Sequence, residues 1–260
     1  MISKADLKDI RSLKQRKQRK KRELFLAEGF RIVREAIASE LPVVRVLFTK
    51  EFSESVGHRG IVKELGRKRI QYEEVSSREF RSIADTDTSQ GILAVVRQRQ
   101  RPLEEFMREP EEYQLVVGLD AVSDPGNLGT MLRTCDWFGV DMLLLGKGTV
   151  DAFNPKVVRS SMGAVFHVPL VEDVDLDSAL RELQNRSFSI VATDLSGKVL
   201  DHASSLPRKT AVIFGNEAWG VRPSLMSIAN HRIRIRGFGR AESLNVSVAC
   251  GVILSMLRRG

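Results

Sequence analysis

Short apolar runs bounded by turn residues alternate along this chain with stretches whose apolar residues recur every three or four positions. The first pattern is that of covered strands, the second that of helices with one buried face. Runs at 24–27, 43–49, 70–75 and 91–96 read as strands. Helices are marked by Phe30, Val33, Ile37 and Leu41, and by the spacing at 61–65 and 80–84. After residue 113 the alternation resumes. Strands are expected at 115–120, 140–145, 166–171, 189–193, 211–214 and 232–235, and helices at 128–138, 155–162, 177–184, 223–229 and 243–257. Strands alternating with helices predict an α/β layer fold. The wholly apolar stretches 115–117 and 142–145 suit parallel strands covered on both faces. Residues 97–113 carry four arginines with Pro102 and Pro110, the composition of a linker. The expected organisation is a first domain at 1–96, a linker at 97–113 and a second domain at 114–260.

Polar residues at the edges of the apolar runs are candidate caps or candidate chemistry. Asn154-Pro155 is a helix start, with Asn capping and Pro at the first helical position. Asn127 and Ser243 are expected to cap the helices that follow them. In the first of these helices Leu128, Met131, Leu132, Cys135 and Phe138 share one face, and Arg133 lies off it. By itself Arg133 fits either a surface pair with Asp136 or a bidentate grip on a phosphate at the end of a sheet. Gly215, Asn216 and Glu217 follow a strand, where a glycine lets a ligand approach the backbone and where an ordinary tight turn fits equally. The helix after Ser243 is apolar nearly all round, so it must be buried on several sides; Asn245 in its first turn is conspicuously polar.

A hydrophobic content of 42% is enough for a packed core. The net charge of +8 points to a polyanionic partner, nucleic acid or an anionic membrane, or serves solubility. Residues 8–22 concentrate it: nine cations, among them Lys14, Arg16, Lys17, Arg19, Lys20, Lys21 and Arg22, face one acid, Asp9. That density suggests a phosphate-contacting arm. Cys135 and Cys250 lie far apart inside apolar helical patterns and read as buried thiols. No metal motif, dinucleotide fingerprint, P-loop or hydrolase elbow is present. There is no signal-peptide pattern, and the most apolar stretch, 246–257, is too short to span a bilayer. A soluble cytoplasmic protein without membrane or metal partners is expected.

Three segments carry a resemblance: Asp124-Pro-Gly-Asn-Leu-Gly129 with Leu132-Arg-Thr134 and Phe138-Gly139; Phe214-Gly-Asn-Glu-Ala-Trp-Gly220; and Glu242-Ser-Leu-Asn-Val-Ser-Val-Ala249. In order and spacing they resemble the motifs of SPOUT methyltransferases of the SpoU/TrmH group. Asn154-Pro-Lys-Val-Val-Arg-Ser-Ser-Met-Gly163 fits that family's middle segment. Phe25-Leu-Ala-Glu-Gly29 and Ser89-Gln-Gly-Ile-Leu-Ala94 resemble the L30e/L7Ae-like RNA-binding domain that precedes it in many members. The resemblance implies a mostly parallel α/β sheet with a trefoil knot, a homodimer, and S-adenosylmethionine as cofactor. Thr193, Gly215, Asn216, Gly220, Ile235 and Leu244 fall on cofactor-contacting positions. The implied reaction is methylation of an RNA ribose 2′-hydroxyl. Arg133, Asn127, Glu217, Ser243 and Asn245 fall on catalytic positions, and Lys156 and Arg159 join the basic run as RNA contacts. Arginine stays protonated and is a poor base. Arg133 is therefore expected to hold an adjacent phosphate and stabilise the developing alkoxide, while phosphate or water takes the proton. The first domain favours ribosomal RNA, of the 23S type, over tRNA. A non-catalytic RNA-binding or ribosome-assembly factor is the alternative outside catalysis. The chain departs from the family at Ile235-Arg236-Gly237, where a Pro-Met pair is common.

Overall fold

Two separate cores divide the chain in the computed structural model, which describes residues 2–55, 57–108, 111–200 and 207–258. Met1–Arg99 and Asp151–His167 form one unit, Gln100–Val150 and Val168–Gly260 the other. Pro110 of the expected linker lies outside the described residues. The order in the first stretch is α1 (Lys4–Ser12), α2 (Arg16–Arg22), β1 (Leu24–Glu28), α3 (Phe30–Ala38), β2 (Val43–Thr49), α4 (Lys50–Glu54), α5 (Arg59–Arg67), β3 (Tyr72–Val75), α6 (Ser77–Ile83) and β4 (Ile92–Arg97). It continues with α7 (Leu103–Phe106), β5 (Gln114–Leu119), α8 (Pro125–Trp137), β6 (Met142–Gly146), α9 (Pro155–Ser160), β7 (Leu170–Val174), α10 (Leu176–Asn185), β8 (Ser189–Val199), β9 (Lys209–Phe214), α11 (Pro223–Ile228), β10 (His231–Arg234) and α12 (Val246–Leu257).

The first unit is built on a four-stranded sheet in the order β1-β4-β2-β3. Strand β4 runs antiparallel to both neighbours, and β2 and β3 are parallel. The basic run is not a free arm. It folds into α1 and α2, and Ile10 and Leu13 are buried in a cluster with Phe80, Ile83 and Leu93. Segment 151–167, expected in the second domain, packs here through aromatic contact: Phe25 lies 4.8 Å from Phe153 and 5.9 Å from Phe166 between ring centroids.

The second unit carries six parallel strands in the order β10-β8-β9-β5-β6-β7. Strands β5 and β6 are buried along their whole length, as the apolar runs after Gln114 and from Met142 require. Leu176, Leu180 and Leu183 of α10 and Leu225 and Ile228 of α11 pack with Leu103 and Phe106 of α7 in one core. The segment expected to link two domains is thus anchored, and the Arg101 amide donates to the Leu170 carbonyl.

Three boundaries differ from expectation. The strand expected at 166–171 begins at Leu170. The left-handed backbone of Met162 and Gly163 ends the preceding helical turns, and Ala164–Phe166 forms a 3-10 turn. Strand β8 runs on to Val199 because β10 pairs with it again at Lys198 and Val199. The last helix starts at Val246, so Ser243 does not cap it. Among the described residues no helix is long and apolar enough to cross a membrane.

Candidate active site

In a parallel sheet with helical crossovers, the loops at the carboxyl ends of adjacent strands converge, which is where such folds bind ligands. Strand β5 ends at Asp120, which is buried; its amide donates to Phe214 (2.8 Å) and its carboxylate accepts from the Arg222 amide (2.9 Å). Strand β9 runs into Gly215. A β-carbon at Gly215 would lie 1.9 Å from the backbone carbon of Gly220, so no other residue fits there. The loop it enters closes on itself: the Asn216 and Gly220 amides each donate to the other's carbonyl at 3.0 Å. The Asn216 side chain donates to the Ala121 carbonyl (2.7 Å) and accepts from the Ala218 amide (2.8 Å). Asn216 thus fastens the loop after β9 to the loop after β5. Gly220 takes a left-handed conformation, with φ of 73°.

Glu217 is the hub between these loops. One carboxylate oxygen accepts from the amide and the hydroxyl of Ser123, both at 3.1 Å. The other accepts from the Asp124 amide and from Asn127 Nδ2, both at 3.0 Å. Asn127 Oδ1 accepts from Asn245 Nδ2 at 2.9 Å. Asn245 Oδ1 accepts from the amide and hydroxyl of Ser247 and from the Val248 amide, capping α12. Both amide orientations are fixed: Asn245 Oδ1 accepts helix N–H groups, which leaves its nitrogen for Asn127, and the Glu217 carboxylate can only accept from the Asn127 nitrogen. Residues 127, 217 and 245, from three separate motifs, form one directed chain of donors and acceptors. Partial burial pushes the Glu217 carboxyl upward, but the donors from Asn127, Asp124 and Ser123 outweigh it and hold it down at about 2. The site therefore contains a permanent carboxylate.

Asn127 does not cap α8. Asp124 does, accepting the Asn127 amide at 2.8 Å with Pro125 in the first turn. This is the pattern read at Asn154-Pro155, where Asn154 accepts the Lys156 amide at 2.9 Å. Ser123, Asp124 and Ser247 belong to the network and are not among the expected site residues. The Asp-Pro pair is the available signal for the cap.

The other expected residues behave differently. Arg133 is exposed on α8 and has no hydrogen bond or ion pair among the described residues, to Asp136 or any other. Ser243 and Leu244 are exposed in the stretch after β10, and Ile235 is half-buried. Thr193 donates its hydroxyl to the Ile213 carbonyl at 3.0 Å. Register pairs Ala192 with both Ile213 and Arg232, so Thr193 within β8 lies beside the ends of β9 and β10, which Gly215 and Ile235 follow. Exposed Leu195 lies further along β8, and exposed Trp219, Phe238 and Leu244 lie on the stretches after β9 and β10. Exposed apolar side chains at the ends of parallel strands suit a cofactor with an aromatic base and an alkyl sulfonium. Among the described residues no cluster of His, Cys, Asp or Glu could hold a metal.

In the first unit the expected RNA contacts also separate. Arg19 is a correction: it is buried, with Nε 3.0 Å from Asp151 and its other nitrogens donating to Asp151 and to the Leu13 and Lys14 carbonyls. It holds the fold and is closed to a phosphate. Lys14 donates to the Ala84 carbonyl, Arg22 pairs with Asp9 at 2.8 Å and Arg159 pairs with Asp85. Arg16, Lys17, Lys20, Lys21 and Lys156 are exposed.

Comparison with known proteins agrees with this geometry. Residues 114–255 match the SpoU rRNA Methylase family, and residues 4–94 match the MRM3-like substrate binding domain. The 23S rRNA (guanosine(2553)-2'-O)-methyltransferase RlmP of Bacillus subtilis is 35% identical, over 90% of this chain and 88% of its own length. The 23S rRNA (guanosine-2'-O-)-methyltransferase RlmB of Neisseria meningitidis is 28% identical over 89% of this chain and 93% of its own. The crystal structure of an AdoMet-bound rRNA methyltransferase from Sinorhizobium meliloti superposes with a TM-score of 0.84 at 30% identity, covering 100% of this chain and 96% of that one. The parallel sheet, the three motif segments joined in one site and a family match over more than half of the chain agree: the protein belongs to the SpoU rRNA methylase family.

Proposed function

We propose that the protein is an S-adenosylmethionine-dependent RNA ribose 2′-O-methyltransferase acting on 23S-type ribosomal RNA. The observation that carries this reading is the Glu217–Asn127–Asn245 chain, which joins three motif segments at the carboxyl ends of parallel strands. Similarity to RlmP, RlmB and the AdoMet-bound Sinorhizobium enzyme supports both the substrate class and the cofactor. Bound S-adenosylmethionine supplies an electrophilic methyl group. Thr193 of β8, with Gly215, Asn216, Gly220, Ile235 and Leu244 on the stretches after β9 and β10, would hold it.

The protein itself must align a weakly acidic hydroxyl and stabilise the charge it develops. Arg133 suits the stabilising role, because an exposed guanidinium without a partner among the described residues can form a bidentate pair with an RNA phosphate beside the reacting ribose. The hydroxyl proton passes to that phosphate or to water. Asn127, Glu217 and Asn245 keep the loops in place, and Ser243, exposed beside them, contacts substrate. The cations Arg16, Lys17, Lys20, Lys21 and Lys156 of the first unit collect RNA through its backbone. We further infer a cytoplasmic homodimer whose C-terminal chain threads a trefoil knot.

The test is transfer of labelled methyl from S-adenosylmethionine to separated ribosomal RNA and tRNA taken from cells lacking this protein. Label in the ribosomal fraction, lost with Arg133→Ala, is the expected result. Label confined to tRNA would overturn the substrate class, and RNA binding without any transfer would overturn the activity.

A further inference from the structure

Helices α8 and α12 pack as a parallel pair. Their N-termini meet where Asn245 donates to Asn127. Between the two ends, Cys135 of α8 and Cys250 of α12 are both buried free thiols. At the far end one residue, Arg258, closes the pair. Helix α8 ends in a left-handed Gly139 with φ of 58°. The amides of Phe138, Gly139 and Val140 turn back to the carbonyls of Thr134, Asp136 and Cys135. That leaves the Phe138 and Gly139 carbonyls pointing outward. Arg258, the residue that ends α12, donates Nε to Phe138 at 2.8 Å and Nη2 to Gly139. Its guanidinium also lies 4.8 Å from the Tyr113 ring centroid and 3.8 Å from the Asp141 carboxylate, which accepts the Leu115 amide at 2.7 Å.

Parallel helices align their dipoles side by side, with both positive ends together and both negative ends together. Glu217 places a fixed negative charge at the joined N-termini, and Arg258 places a positive charge at the joined C-termini. The guanidinium's several donors and flat face allow it to bind two carbonyls, a carboxylate and a ring at once. It therefore ties the last turn of α12 to the end of α8, at the opposite end of the pair from the Asn245–Asn127 bond.

We propose that Arg258 is a positioning residue for methyl transfer: by clamping the C-termini of α8 and α12 it holds Asn245 on Asn127 at the opposite end of the pair. The role rests on the methyltransferase reading for its kinetic consequence, while its structural consequence is read separately. The experiment compares Arg258→Ala, Arg258→Lys, Asn245→Ala and the double variant Arg258→Ala/Asn245→Ala in the full chain, each below its unfolding temperature. Hydrogen exchange by mass spectrometry over 246–249, the first turn of α12, is expected to accelerate about tenfold in Arg258→Ala, as a loosened cap would allow, and less in Arg258→Lys. On ribosomal RNA, kcat is expected to fall about tenfold in Arg258→Ala with KM within about twofold. Adding Arg258→Ala to Asn245→Ala is expected to cost little more, because both act through one junction. Unchanged exchange at 246–249, or losses in kcat that multiply, would overturn the proposal. A wild type that transfers no methyl would overturn the enzymatic reading instead, and the exchange result would still decide the clamp.

Discussion

Two groups of site residues in the second unit differ in how far the fold itself fills their hydrogen-bonding capacity. Glu217, Asn127 and Asn245 satisfy one another and the backbone around them. Arg133, Ser243 and Leu244 stand exposed, and Arg133 has no partner among the described residues. A residue whose hydrogen-bonding capacity is filled by its own fold builds a site, and one left open is available to a ligand. The largest effect should therefore come from the open group. Arg133→Ala is expected to lower kcat by about 10²–10³-fold, the cost of removing a donor from developing charge. Its melting temperature and S-adenosylmethionine affinity should stay at wild-type levels. A matching loss of cofactor affinity in calorimetry would erase the distinction between the two groups.

The same contrast recurs within the basic run of the first unit. Arg19 is enclosed by Asp151 and two carbonyls, while Lys17 and Lys21 are exposed. Breaking a buried pair by removing one partner costs about 3–5 kcal/mol, because the other charge is stranded. Arg19→Ala should thus lower the denaturation midpoint strongly. Lys17→Ala should leave that midpoint alone and reduce the salt dependence of RNA binding by about one counterion. Equal effects of the two on stability would show that the burial of Arg19 is not what separates them.

The alternation of strand and helix is legible in the sequence because apolar spacing records which face each element buries. Most boundaries in the second unit fall within a few residues of that reading. The misassigned positions share a cause: the deciding partner is distant along the chain. Asp124 and Asn127 are both plausible caps, and Asn127 is taken away by Glu217, ninety residues on. Ser243 reads as the cap of α12, but Asn245 is held in that place by Asn127. Arg19 sits in a run of identical charges, and only Asp151 distinguishes it. The apolar stretch around Phe166 reads as one strand, yet Phe166 stacks on Phe25 and the strand begins only at Leu170. The motif residues are legible as a set because they recur in a family, whereas Ser123 lies outside those segments and joins the site only through Glu217, ninety-four residues on.

Two substitutions test whether the closed chain acts through its hydrogen bonds or through its charge. Glu217→Gln puts a donor where the carboxylate accepts from Ser123 or from Asp124 and Asn127, so one N–H must face another. A stability loss of about 1 kcal/mol is expected for the partly exposed site, with a several-fold fall in kcat. Asn245→Asp keeps a good helix cap but replaces the donor to Asn127 with a carboxylate oxygen facing its Oδ1. Its melting temperature should barely move while kcat falls. Should Asn245→Asp match wild type in turnover, the link between α12 and α8 would be irrelevant to catalysis.

The smallest effect concerns pH. Glu217 ordinarily titrates near 4.5 and is held at about 2 in the folded chain, where its donors prevail over partial burial. A carboxyl depressed on folding binds fewer protons folded than unfolded, so it stabilises the fold fully above the unfolded value. That contribution fades as pH falls from about 4.5 towards 2. Asp9, Glu51, Glu79 and Asp175 are also lowered and add to the same trend, so the wild-type curve alone does not isolate Glu217. The difference between wild type and Glu217→Gln does, because the variant lacks only that titration. Melting temperatures measured from pH 6 down to pH 2.5 should converge as acid protonates Glu217 in the unfolded chain. A constant gap across that range would mean that the carboxylate is not held ionised by its four donors, and that the contrast between closed and open residues owes nothing to charge.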